Sequence, residues 1–168
     1  MRIHNSARWC VAMRQGEQMI QLDYLILADA VAAVGGKHFI HGGGWDTLST
    51  SAFPTVHPTM AVAVRLRVPW SDTNRPTALL LDLLNADGAS ILPNPPGPLR
   101  GDISVGRPPT LVPGDDQVLL LSFPLNNLRF ESPGYYMITL HLNGAEAARA
   151  PFRVVLNQNQ APAANVQA

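Results

Sequence analysis

The chain has 168 residues, 46% of them hydrophobic and 14% charged, with twelve basic and twelve acidic side chains. That length supports one domain with a sizeable core, and the balanced charge supplies no net field that would draw it to nucleic acid or anionic lipid. Eleven of the twelve cations are arginines scattered without a basic run, and the single cysteine, Cys10, excludes an internal disulfide and a multi-cysteine zinc site.

Residues 1–20 carry Arg2, Arg8 and Arg14 but no apolar core segment, so no signal peptide is expected. They read as an N-terminal extension, either an over-called start with Met19 as initiator or a short helix over residues 8–18. The longest apolar run, residues 24–34, is interrupted by Asp29 and falls far short of the roughly 20 residues that span a bilayer. The expected compartment is the cytoplasm, with no membrane partner.

Residues 22–34 are apolar on both faces, so strand and helix compete. A strand is favoured, because Gly35-Gly36 follows as a turn and His38-Phe39-Ile40 resumes an extended pattern. The segment from Gly35 to Asp46 then packs five glycines, two histidines, the only lysine, Trp45 and Asp46 into twelve residues.

Alternation is clearest over residues 60–68. Met60, Val62, Val64, Leu66 and Val68 point one way, and Ala61, Ala63, Arg65 and Arg67 the other, as in a half-buried strand. In residues 77–84 Asp82 assigns Leu79, Leu81 and Leu83 to the core. In residues 117–123 Ser122 does the same for Leu119, Leu121 and Phe123. A turn at Asp87-Gly88 and a short strand over residues 103–105 are expected between them. Tyr136, Ile138, Leu140 and Leu142 face inward in the next strand. Asn143-Gly144 is a strong hairpin signal, and Phe152, Val154 and Leu156 share one face of the return strand.

The fifteen prolines and thirteen glycines fall almost wholly between these runs. The pattern predicts an all-β protein, an antiparallel β-sandwich of about seven to nine strands over residues 21–156. Residues 157–168, rich in Asn, Gln, Ala and Pro, are expected to be a disordered tail.

Two sets of residues carry a resemblance. Leu22-x-x-Leu25 with Ala28-Asp29-Ala30, then Gly35-Gly36-Lys37, Gly43-Gly44-Trp45-Asp46, Phe53-Pro54 and His57-Pro58, resemble a family of small bacterial proteins catalogued only as a domain of unknown function. Pro133-Gly134-Tyr135-Tyr136, Asn143-Gly144 and Pro151-Phe152 are similar to the last hairpin of many immunoglobulin-like sandwiches. The resemblance covers roughly residues 20–156. It implies an immunoglobulin-like fold and no activity.

The motifs that suggest chemistry are incomplete. His41-Gly42-Gly43-Gly44 matches an oxyanion-hole loop of lipases, but no Gly-x-Ser-x-Gly elbow accompanies it. Gly36-Lys37 lacks the Ser/Thr and the helix of a phosphate-binding loop. His38, His41, Asp46 and His57 include zinc-type donors, yet His38 and His41 are three apart and face opposite sides of a regular strand.

No catalytic residue, metal or cofactor is therefore assigned. Candidate binding residues are Lys37, His38, Trp45, Asp46, Arg65, Arg67 and Trp70. Trp45 is expected to fill the core. Trp70 either caps one end or stacks on a sugar or partner. Arg65 and Arg67 either grip an anion or pair with Asp82. Pro95-x-x-Pro98-x-Arg100 has the form of a polyproline ligand but also of a stiff connection.

The functional expectation is a non-catalytic module that binds a protein partner or assembles with itself. The alternatives are a metal-binding or hydrolytic domain centred on His38, His41, Asp46 and His57, and a carbohydrate or small-ligand binder using Trp70 and the proline-rich loop.

Overall fold

The structure, a computed structural model, describes residues 19–93 and 96–157. The expected over-called start or helix near the N-terminus, Pro95 of the proline motif, and the expected tail beyond Asn157 lie outside the described residues. Ten strands follow in order: β1 (Gln21–Ala28), β2 (Ala30–Val34), β3 (Lys37–His41), β4 (Thr47–Thr50), β5 (Thr55–Pro69), β6 (Thr77–Leu84), β7 (Leu99–Ile103), β8 (Asp116–Phe130), β9 (Gly134–Leu142) and β10 (Ala145–Leu156). Among the described residues one 3-10 turn, Trp70–Asp72, closes β5.

Two sheets face each other. One has the order β1-β5-β8, the other β4-β10-β9-β6-β7, and β2-β3 form a separate ribbon. Every pairing is antiparallel except that of β4 with β10. The alternation read from the sequence builds the core directly. Met60, Val62, Val64 and Leu66 of β5 meet Leu79, Leu81 and Leu83 of β6, Ile138 and Leu140 of β9, and Phe152 and Val154 of β10. Each such side chain contributes about 1.5–3 kcal/mol by leaving water. Leu119, Leu121 and Phe123 pack partly buried against this cluster, whereas Leu156, expected inside, is 46% exposed at the end of its strand.

Eight strands make the two facing sheets, and the ribbon adds two more. The apolar run of residues 22–34 is extended, as expected, but it is two strands rather than one. Asp29 separates them, its N–H donating to the carbonyls of His41 and Gly42. Gly35 (φ 59°) and Gly36 (φ 72°) close the ribbon with the paired left-handed residues that a two-residue hairpin requires. Asn143 (φ 49°) and Gly144 (φ 79°) do the same between β9 and β10.

The ribbon packs on the outer face of the three-stranded sheet. Ala61 and Ala63 point away from the core, yet they are 3% and 0% exposed. Their small side chains leave room for β2, which contacts both β5 and β8. Ser122 of β8, also outward, donates its hydroxyl to the Val31 carbonyl at 2.8 Å. An isolated two-stranded hairpin is marginal in water, so this packing is what orders the ribbon.

Two local expectations are corrected. The short strand lies at Leu99–Ile103, paired with β6, and stops where residues 103–105 were expected to begin it. The Arg65 and Arg67 side chains do not meet Asp82. Asp82 lies in the other sheet, where it is 9% exposed and accepts the Ser90 hydroxyl and the Leu83 N–H.

Candidate functional site

The ribbon places most of the candidate residues. In β3 the alternation sends His38 and Ile40 toward the sheet and Lys37, Phe39 and His41 outward. Opposite them in β2, Val34 pairs with Lys37, Ala32 with Phe39 and Ala30 with His41, so these six share the outer face. That face is exposed and largely apolar: Val34 is 61% exposed and Phe39 52%. Beside the ribbon tip a shallow groove is lined by Ala33, Gly36, Gln117, Val118 and Leu120.

Under the ribbon, His38 Nδ1 shares a 2.9 Å hydrogen bond with the Tyr24 hydroxyl, and its Nε2 is buried without a partner. His41 projects from the opposite ribbon face. Asp46 lies past the glycine bend, where its carboxylate accepts the Thr47 hydroxyl and its carbonyl accepts the Arg153 N–H. Among the described residues no group of three or more His, Cys, Asp or Glu side chains is placed to hold a metal ion. The fold does not gather His38, His41, Asp46 and His57 into such a group, because the first two occupy opposite faces of one strand.

His57 sits at the start of β5, half-buried. Burial lowers its pKa below the usual value, while a hydrogen bond to the Thr59 backbone and the charge of Asp29 oppose the shift. The folded chain therefore favours neutral imidazole. Between the folded pKa and the ordinary 6.5, the unfolded chain binds more protons. The stabilisation is complete above that ordinary value and is lost as pH falls through the folded one. We expect wild type to lose more melting temperature between pH 7 and pH 5 than His57→Gln does. Coincident curves for the two proteins would refute this.

Trp45 packs half-buried at the core margin, edge-on to Phe152 at 5.8 Å between centroids, and its Nε1 is buried without a partner. Trp70 lies in the 3-10 turn with the Arg107 guanidinium 3.7 Å above its ring. Arg107 also donates to the Thr73 hydroxyl and the Trp70 carbonyl, so that ring face is occupied. The proline-rich connection lies elsewhere. Leu92, Pro93 and Leu99 border Leu125 and Leu128 near the end of β8, whereas the Trp70 N–H donates to Asp115 just before β8 begins. Nine residues of strand, about 30 Å at about 3.3 Å per residue, separate the two.

Arg65 and Arg67 stand on the outer face of β5, beyond the ribbon-covered alanines. A bulge in β1 frees Asp23 to turn toward them. Its carboxylate hydrogen-bonds Arg67 at 2.5 Å and contacts Arg65 at 3.1 Å as an ion pair without hydrogen-bond alignment. Both guanidiniums thus already have an anion.

The exposed Val34 and Phe39 and the groove residues of β8 were not singled out by sequence reasoning. One signal was present: residues 22–34 are apolar on both faces. A strand of that pattern is suited to burial on two sides.

A family of unknown function (DUF6941) matches residues 23–155. The chain belongs to this family. No curated protein matches the chain. Among solved structures, the chain is similar to the Pseudomonas fluorescens alkylpurine DNA glycosylase AlkC bound to DNA containing an abasic-site analogue. Identity is 12% and the TM-score 0.38, over 81% of this chain and 30% of that one. It is also similar to the Listeria innocua β-glucosidase in complex with glucose, at 9% identity and a TM-score of 0.42, over 82% of this chain and 16% of the enzyme. The chain thus spans less than a third of either protein, and at these scores neither likeness carries over to it. Among the described residues, no helix of this DUF6941 member is long and apolar enough to cross a membrane.

Proposed function

We propose that this DUF6941 protein is a non-catalytic, immunoglobulin-like interaction module of the cytoplasm that binds a protein partner or a second copy of itself, and neither nucleic acid nor membrane. The observation that carries the reading is the ribbon face, which leaves Val34 and Phe39 in water when its own sheet covers only the other side. Large apolar side chains grouped in water on one face in this way are what a contact site presents. Lys37 on the same face, and Trp45 and Asp46 past the glycine bend, are the nearby candidates for the rim of such a contact. Arg65 and Arg67, held by Asp23, and Trp70, covered by Arg107, are assigned to the scaffold.

Two features support the immunoglobulin-like part. A three-stranded sheet faces a sheet in which the last strands run β10-β9-β6. The Tyr136 hydroxyl, near the start of β9, donates to the Ser132 carbonyl at 2.8 Å, the arrangement of a tyrosine corner. The metal or hydrolytic alternative has no gathered ligand set behind it, and the carbohydrate alternative has Trp70 and the proline-rich connection far apart.

A photo-crosslinking amino acid placed at Phe39, compared with one at the equally exposed Val112, tests the reading in the native cell. Adducts at position 39 and none at position 112 are expected. No adduct at position 39 would overturn it.

A further inference from the structure

The outer face of the ribbon carries an apolar projection with a cation, and the groove beside its tip is a recess of mixed polar and apolar lining whose Gln117 follows two aspartates. Val34 and Phe39 stand out from the ribbon, and Lys37, the only lysine of the chain, stands among them. None of the ion pairs among the described residues includes Lys37. The recess lies beside the ribbon tip, lined by Ala33, Gly36, Val118 and Leu120. Its bordering Gln117 follows Asp115 and Asp116 directly. The Asp116 side chain is 38% exposed and lies 3.9 Å from the Arg67 guanidinium, while one oxygen of the Asp115 carboxylate accepts the Val112 N–H. A β-carbon at Gly36, which lines the recess, would meet nothing within 4 Å.

Projection and recess both lie on the outer side of the three-stranded sheet, the first on the outer face of the ribbon and the second where its sheet-facing Ala33 meets Val118 and Leu120 of β8. Lys37 flanks the one, and Asp115 and Asp116 precede the β8 residues of the other. A two-fold contact requires a patch of this self-complementary kind, in which residue i meets residue j and j meets i. Apolar contact supplies affinity there, and charge complementarity fixes register.

We propose that this face is a two-fold interface between two copies of the chain, in which Val34 and Phe39 of each copy enter the groove of the other and Lys37 of each faces Asp115 and Asp116 of the other. The proposal rests on the interaction reading above and names its partner as a second copy.

Sedimentation equilibrium on the full chain over a concentration series tests it. The expected mass tends to twice the 18.1 kDa of the chain. Phe39→Asp is expected to weaken dimerisation at least about tenfold, as a central apolar anchor does. Lys37→Asp and Asp116→Lys should each weaken it, and the double variant should recover most of the loss. Lys37 is exposed on a turn-flanking position, so its variant keeps the test valid if Phe39→Asp fails to fold.

A monomer at every concentration, or a dimer that survives both single charge reversals, overturns the proposal. The crosslinker at position 39 separates the two readings. An adduct with a different protein overturns the second-copy inference and leaves the interaction reading standing. An adduct within the same chain, or none, removes both.

Discussion

Phe152→Ala is expected to lower stability by about 3–5 kcal/mol, the usual cost of emptying a buried aromatic site, and to lower the melting temperature by roughly 6–20 °C. Phe152 is 1% exposed and sits at the meeting point of the aromatic residues. Trp45 and Phe130 approach it edge-on, at 5.8 and 6.2 Å, and Tyr136 stacks on it at 5.9 Å. These come from four different segments: the glycine bend, β8, β9 and β10 itself. Because four segments converge there, the cavity has no single flexible neighbour to fill it. Calorimetry measures the loss. A loss below about 1 kcal/mol would show that the site collapses freely. Val112→Ala, at an exposed loop position, should stay within about 0.5 kcal/mol.

Gly43→Val is expected to loosen the ribbon, at a cost of about 1–3 kcal/mol. A β-carbon at Gly43 would come within 2.5 Å of Ile40 Cγ2, and within 3.5 and 3.6 Å of Ile26 and Ala28. Ile40 faces the sheet and Ile26 and Ala28 lie beneath it, so relief requires Ile40 to turn in a crowded place or β3 to lift. Amide hydrogen exchange across Lys37–His41 should accelerate, while exchange in β9 remains slow. Unchanged exchange in β3 would mean that the ribbon tolerates the bulk. Gly106→Ala, where a β-carbon meets nothing within 4 Å, is the matched control and should be near neutral.

The sandwich itself was legible in the sequence because it is written at period two. Met60 through Val68, Leu79 through Leu83 and Tyr136 through Leu142 each declare one apolar face, and the structure turns those faces together. Asn143-Gly144 declares its turn by the same local logic. The ribbon was not legible as a ribbon, because its placement depends on what lies under it. Ala61 and Ala63 read as outward, and they are, but nothing local says that an outward alanine is roofed over. Ser122 likewise reads as solvent-facing and instead bonds Val31, 91 positions away in sequence. The partners of Arg65 and Arg67 failed for the same reason. Strand adjacency is a long-range fact, and the choice between Asp23 and Asp82 follows from which strand lies beside β5. For the histidines and Asp46, spacing correctly placed His38 and His41 on opposite faces. It could not say that the glycines bend the chain without turning those side chains toward one another.

The parallel pairing of β4 with β10 has a consequence for biosynthesis. Thr47 pairs with Arg153 and Thr50 with Leu156, so the edge of the larger sheet joins an early segment to the last strand of the domain. At ordinary translation speeds the ribosome needs on the order of 5–20 seconds to cover that gap. Throughout it β4 has no strand to pair with, and Trp45, just ahead of it, has no Phe152 to rest on. The nascent chain therefore cannot close from its N-terminal end. It holds an incomplete apolar layer until β10 clears the exit tunnel.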